Sequence, residues 1–358
     1  MVKLIDRYIL KKFLSTFFFC VLLLVLVIVV IDFTEKIDKF NKAGVSTVEI
    51  LQYYASFIPF IAGILTPITT FIAVVFITAK MAAKTEIIAI LAGGMSFVRM
   101  MWPYFVGAVI IGSLSFYLNG WVIPNANKFR VNFEVTYLKK PFYFNETDIH
   151  FKVGDDLYAY LFRYNNRIDR GYKFTLEKFE GVKLHQKLTA STISWDTADY
   201  KWRLQNWQLR TFNGFDELVE EGSEMDTTLT ILPSDFDNNK GLESALTLDE
   251  LQAHINLLQS RGADDVEIYL IEKYIRYMIP FTTLILTFIG LIVSARKSRG
   301  GTGFQIALGF LIAFLFIIFF IFSKALAEKS SADPLLSIWF PNIFFSLVGL
   351  VLYKTVPR

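Results

Sequence analysis

Six uncharged apolar runs limit what this chain can become: Phe13–Ile31, Phe57–Ala79, Tyr104–Ile123, Tyr277–Ala295, Phe304–Ser323 and Leu335–Tyr353. Each is roughly 20 residues long, the length a helix needs to cross a bilayer and about twice that of a barrel strand. Lipid offers the backbone no hydrogen-bond partners, so such runs must satisfy their amides internally, as helices do. Composition agrees, with 54% hydrophobic residues and 36 phenylalanines among 358, too apolar for an ordinary soluble domain. The first run follows MVKLIDRYILKK, is longer than a signal-peptide core, and lacks a small-x-small cleavage site before Asp32. It therefore reads as an uncleaved first span. Pro59 and Pro67 are expected to kink or loosen the second span, whereas Pro280 sits near the start of the fourth, where its cost is lower.

Basic residues in the short loops orient the spans. One side collects Lys3, Arg7, Lys11, Lys12, Lys80, Lys84, Arg99, Arg296, Lys297, Arg299, Lys354 and Arg358. The other has Lys36, Lys39, Lys42, Lys324 and Lys329, interspersed with Glu35, Asp38, Glu328 and Asp333. The imbalance places both termini in the cytoplasm. Residues 1–123 then hold spans one to three and residues 272–358 hold spans four to six.

Between them, residues 124–247 are polar and punctuated by Gly154-Asp155, Asn165-Asn166, Asn213-Gly214 and Asn238-Asn239, which read as turns. Tyr172, Phe174 and Leu176 alternate with polar neighbours, as do Leu229 and Ile231, which predicts strands. Leu157–Phe162 is apolar at every position, so both faces are expected to meet nonpolar surroundings. Trp202, Leu204, Trp207 and Leu209 change parity midway, which predicts a bulge. Many short strands argue for a β-sandwich or jelly roll outside the membrane. Leu248, Leu251, Ile255 and Leu258 then predict a connecting helix within 248–271.

Lys80–Trp102 lies between the second and third spans. A helix over about 80–98 is expected, with Glu86 ahead of Ile87, Ile88, Ile90 and Leu91, closed by Gly93-Gly94. Its apolar face is too short to span a bilayer, so it either docks against a partner on the cytoplasmic side or merely turns the chain. Lys36, Lys39 and Lys42 cluster at the outer end of the first span, as a solvated loop or as contacts for phosphate or carboxylate headgroups. Leu157, Ala159, Leu161, Trp202 and Trp207 are candidate walls of a lipid path in the β domain, or ordinary core.

Chemistry is sparse. His150, His185 and His254 are far apart, with no ligand-spaced cysteine or paired carboxylate, so no metal site is expected. Cys20, the single cysteine, lies in an apolar run and reads as a small buried hydrophobe. There is no GxxxxGK[ST], and Gly300-Gly301-Thr302-Gly303 reads as a turn at a membrane edge. The spans lack the buried charges of an ion-coupled pump, and Asp32 and Lys324 are expected to snorkel. The sequence calls for no catalytic residue and no cofactor. This is the profile of a membrane component driven by a partner.

Five stretches carry a family resemblance: Ile5-Asp6-Arg7-Tyr8-Ile9; Lys42-Ala43-Gly44; Glu86 with Ala92-Gly93-Gly94; Trp121-Val122-Ile123-Pro124; and Lys201-Trp202-Arg203-Leu204. In this order, over nearly the whole chain, they resemble the lipopolysaccharide export permeases LptF and LptG, and LptG more closely. The resemblance implies a bacterial inner-membrane protein with three spans on either side of a periplasmic β-jellyroll. It implies a sister permease, an LptB-type ATPase dimer gripping coupling helices, and LptC- and LptA-type jellyroll proteins that receive lipopolysaccharide. It would give Glu86, Ile87, Ile90, Leu91 and Gly93 the ATPase contact, and Lys42 a place near lipid phosphates. Glu35 stands where LptG carries a lysine, with Lys36 beside it. Two other classes share parts of this profile: a mechanotransmitter that moves an outside domain without carrying lipid, and an enzyme acting on lipid headgroups, for which the sequence offers no convergent acids, bases or ligands.

Overall fold

The computed structural model describes residues 4–138, 144, 147–154, 156–214, 216–236, 241–261, 266–295, 301–329 and 332–354. Lys3, Arg296, Lys297, Arg299 and Arg358 of the orientation argument, and Asp155, Asn238, Asn239 and Gly300 of the turn signals, lie outside these residues. The chain divides into two compact units. One is Met1–Leu138 with Leu242–Gln252 and Glu267–Arg358; the other is Lys139–Gly241 with Ala253–Val266.

The first unit is helical. All six apolar runs lie in helices: α1 (Leu4–Ala43), α2 (Thr47–Ala83), α4 (Phe97–Tyr117), α8 (Val266–Ser294), α9 (Gly301–Glu328) and α10 (Pro334–Tyr353). Between α2 and α4 lies α3 (Glu86–Ala92). The single helix expected over 80–98 is thus three pieces. α2 runs on to Ala83, Thr85 adopts a left-handed φ of 59°, and α4 starts at Phe97 after a cap in which the Ser96 hydroxyl accepts from the Arg99 N–H. Gly301–Gly303, read as a turn, instead opens α9.

α2 is continuous through Pro59 and Pro67. The Thr66, Thr69 and Thr70 hydroxyls around Pro67 donate to carbonyls of the preceding turn, at 2.7–3.0 Å. The third span does not stop at Ile123. A π-turn (Leu118–Val122) carries it into α5 (Ile123–Phe133) and a second π-turn (Glu134–Leu138). Pro124 has no N–H for the Gly120 carbonyl, and the Ile123 N–H bonds five residues back to Leu118, so the wider turn absorbs the missing bond. The helical unit therefore extends to Leu138, and the strands begin only at Thr147.

The apolar windows of α2 and α8 are 56% and 61% buried, against 11% for α1 and 22% for α9. The inner helices form the core and the outer ones leave their faces to lipid or another chain. Close approach needs small residues. A Cβ on Gly107 of α4 would lie 2.5 Å from the Phe13 ring of α1, which is fully buried.

The second unit is built on one antiparallel six-stranded sheet with strands in sequence order: β1 (Thr147–Gly154), β2 (Leu157–Asn165), β3 (Arg170–Glu180), β4 (Lys183–Asp196), β5 (Lys201–Asn213) and β6 (Asp216–Thr227). This is the jellyroll-like domain expected between spans three and four. Leu157–Phe162 is not buried on both faces as expected. Ala159 and Leu161 point into the core, whereas Tyr158 and Phe162 are exposed, because a single sheet covers only one side. Phe162 instead lies under the Lys173 ammonium, and Tyr158 meets the edge of Phe179.

The parity change in β5 is not an inserted residue, because the register does not shift there. Asn206 takes a φ of 49°, which turns the pleat over, and the same happens across the sheet. Ile149 pairs with Leu161 and Thr147 with Arg163, so Asp148 faces Phe162. By the same reading of the ladders, Phe162 faces Lys173, Lys173 faces Ser191, Ser191 faces Asn206 and Asn206 faces Ser223. Asp148, Lys173 and Asn206, on alternate strands, all have positive φ (58°, 53° and 49°). On either side of this line the buried set changes parity: Leu161 to Tyr164, Phe174 to Gly171, Ala190 to Ile193, Trp207 to Leu204. A crease, one line of parity change, thus crosses all six strands at a single register.

Candidate functional site

At one end of the helical unit, Asp6 in the first turn of α1 grips Arg99 in the first turn of α4 with both carboxylate oxygens, at 2.7 and 2.5 Å. Above this clamp sits α3. Glu86 accepts from the Tyr8 hydroxyl (3.0 Å) and the Lys12 ammonium (3.3 Å), which itself bonds Tyr8. Ile87 is 3% exposed and belongs to the core with Phe13, Met81 and Tyr104. Ile90 and Leu91 pack partly against that core, whereas Ile88 is 51% exposed and Ala89 and Gly93 are also exposed. The helix thus anchors itself by Ile87 and presents Ile88 and Ala89 outward. An open cavity of about 420 Å³ is lined by Leu4, Ile5, Tyr8, Glu86, Ala89 and Ile90. It is apolar-walled with one carboxylate at its edge. The sequence pattern located α3 but could not say which apolar residues face inward, nor that α1 supplies a wall.

The three lysines divide. Lys39 and Lys42 are exposed near the end of α1. Lys36 turns inward: its ammonium donates to Asp32 and to the Tyr53 hydroxyl, both at 2.6 Å, and Tyr54 donates to the other Asp32 oxygen at 3.1 Å. Asp32 is therefore paired rather than snorkelling. Tyr53 reaches Glu134 (3.4 Å), which bonds Arg130 (2.8 Å), whose guanidinium also meets Asn127 and Ser244. Arg130 lies on the α5 extension, which composition alone assigned to the β domain. A second buried arginine, Arg276 of α8, donates to the carbonyls of Leu246 and Glu243 and to Glu272. Both arginines thus bond the segment Glu243–Leu246, most of which is the short helix α6 (Leu242–Ala245). Sequence reading missed this clamp, because nothing local marks arginines 146 residues apart (276 − 130) as neighbours.

In the β domain the candidate wall residues separate as well. Ala159 and Leu161 are buried and Leu157 is partly buried, all in one core cluster with Phe174, Leu188 and Leu204. Trp202 is 1% exposed and its Nε1 donates to the Ile231 carbonyl at 2.8 Å, so it is sealed inside that core. Trp207 is half-buried, and its buried Nε1 has no acceptor among the described residues. Ile231 is buried and Leu229 partly buried, yet residues 228–232 are not a strand: the chain leaves the ladder after Thr227 and turns into a 3₁₀ segment (Pro233–Phe236), where Asp235 caps the Leu232 N–H.

No cluster of three metal-ligating side chains occurs among the described residues. The family model for the lipopolysaccharide export system permease LptF/LptG matches residues 7–355. No curated relative matches the chain.

Proposed function

Given that the chain belongs to the LptF/LptG family of lipopolysaccharide export permeases, we propose that it is the membrane subunit of an ABC transporter in which a separate ATPase drives lipopolysaccharide out of the inner membrane. The observation that carries the ATPase-coupled part is α3: a seven-residue helix between two spans, anchored by Ile87, with an open apolar cavity beside Ile5 and Tyr8 and Glu86, held by Tyr8 and Lys12, at its edge. It offers an apolar socket edged by a carboxylate that Tyr8 and Lys12 already hold, which suits a partner helix or loop that inserts an apolar side chain. On this reading the α3 end is cytoplasmic, the β domain is periplasmic, a sister permease covers the open faces of α1 and α9, and LptC- and LptA-type proteins receive the lipid. Lys39 and Lys42 meet headgroup phosphates, while Lys36 does so only in competition with Asp32.

The test begins with mild-detergent purification of the full chain from its host, followed by mass spectrometry of bound protein and lipid. An ATPase, a second six-span permease and a lipopolysaccharide-type glycolipid are expected together; an ATPase without lipid would refute lipid export. Glu86→Lys sets a like charge against Lys12 and should abolish co-purification of the ATPase while the chain still inserts. Undiminished ATPase binding would remove α3 from the contact.

A further inference from the structure

The chain leaves the helical unit at Leu138, comes back for Leu242–Gln252 and returns to stay at Glu267. On the helical side, the segment that comes back is held by one polar assembly. The Asn127 amide of α5 donates to the Ser244 carbonyl at 3.0 Å, and Arg130 donates to the Ser244 hydroxyl at 3.3 Å. From α8, Arg276 spreads its guanidinium over the Leu246 and Glu243 carbonyls, at 2.6 and 2.9 Å. A four-residue helix leaves its last carbonyls without intrahelical partners, and a guanidinium fork serves two of them at once. Just beyond, at the start of α7 (Leu248–Arg261), Asp249 accepts from the Trp121 indole N–H (2.9 Å) and Glu250 from the Lys128 ammonium (2.8 Å). Leu248 sits so close that a Cβ on Gly120 would lie 3.0 Å from its Cδ1.

We propose that this assembly is a coupling block, in which Arg130 and Arg276 are positioning residues that fasten α6 and the start of α7 to the extensions of the third and fourth spans, so that movement of those spans is delivered to the β unit. The proposal rests on the ATPase-coupled reading and specifies how the motion leaves the membrane. Three observations carry it. The block gathers the crossing points: α5 runs through its π-turn to Leu138, Leu242–Gln252 is the clasped segment, and Glu267 lies in the first turn of α8, ahead of Arg276. The fastening is also buried, with Asn127, Arg130 and Arg276 only 1%, 8% and 2% exposed, so breaking it strands guanidinium groups away from water. Lastly, α5 is flanked by π-turns at both ends, where regular helix bonding is interrupted, which draws bending away from the clasped stretch.

The test uses the full chain in complex with its co-purified ATPase, in a Cys20→Ala background that leaves no native thiol. Spin labels at Val48→Cys, exposed at the start of α2, and at Val182→Cys, exposed at the β3–β4 turn, report a distance between the helical unit and the β unit. ATP should shift that distance in the parent. Arg276→Gln should lose the shift while ATP hydrolysis persists, and Arg276→Lys, which keeps the charge but not the fork, should retain part of it. Asn127→Ala removes one bond of the clasp without stranding a charge, and should reduce the shift even if Arg276→Gln fails to fold. An undiminished shift in Arg276→Gln and Asn127→Ala, or no shift in a parent that hydrolyses ATP, would overturn the coupling block while leaving lipid export standing. Loss of hydrolysis together with the shift in Asn127→Ala would also overturn it, by making the clasp merely structural. A shift that depends on the clasp in a complex that releases no glycolipid would refute lipid export and leave the block standing. Failure of any ATPase to co-purify would overturn both.

Discussion

The Asp6–Arg99 pair permits a prediction with an internal asymmetry. The Asp6 side chain is 7% exposed and that of Arg99 33% exposed, so the two partners do not lose equally when separated. Arg99→Ala removes the bidentate partner of a nearly dry carboxylate, which costs about 2–4 kcal/mol once the other contacts of Asp6 and the α1 N-terminus are counted. Asp6→Ala leaves a guanidinium that can swing into water, at a cost of about 1 kcal/mol. The double variant should be less damaging than the two singles added together, with a coupling of about 1–3 kcal/mol. The assay is the thermal midpoint of the full chain in detergent. At about 2 °C per kcal/mol, Arg99→Ala should lower it by about 4–8 °C and Asp6→Ala by about 2 °C. The reasoning fails if Asp6→Ala is the worse variant, or if the two effects simply add.

Three further perturbations test other parts of the structure. Lys173 holds a left-handed φ at the crease, so Lys173→Val should destabilise the β domain by about 1–2 kcal/mol and Lys173→Gly should be neutral or stabilising; denaturant titration of the domain's tryptophan fluorescence separates them. Gly107→Leu drives a side chain into the Phe13 ring and should cost about 1–3 kcal/mol, read as a fall in the detergent thermal midpoint, whereas the same change at Gly303, with open space around it, should not. Glu250 closes a capping box with Thr247 at the start of α7 (Leu248–Arg261), and the Lys128 ammonium, then the Thr247 N–H, hold its carboxyl below the usual range. Its folded value being depressed, the stabilisation is full above the unfolded value near about 4.3 and drains away as pH falls through the folded value. Hydrogen exchange at the first amides of α7, corrected for intrinsic rates, should show acid-dependent loss of protection in the native chain and none in Glu250→Gln.

Sequence reading succeeded where the signal is local and strong. Six runs of helix length in an uncharged alphabet, and alternation at Phe174 or Leu176, leave the backbone few choices, because burial in lipid or on one sheet face enforces them directly. It fell short where the deciding partner is distant. Leu157–Phe162 is apolar throughout, yet only a single sheet with one covered face shows that Phe162 points out. Thr228–Ile231 has strand periodicity, yet β6 ends at Thr227, so those residues leave the ladder as an irregular segment. The tryptophans of β5 showed their parity change, but not that Asp148 and Lys173 make the same turn in line with Asn206.

The sequence by itself thus determined how many helices cross the membrane, where the β domain is inserted, and the absence of any recognisable catalytic motif, since hydropathy and composition act residue by residue. Only the tertiary structure decided which apolar side chain of α3 is anchor and which is contact, that Lys36 is already paired, and that two distant arginines hold α6. Those outcomes depend on which groups meet across the fold. The free energy of a charge or a buried ring is set by the neighbour it finds, and no stretch of sequence contains that neighbour.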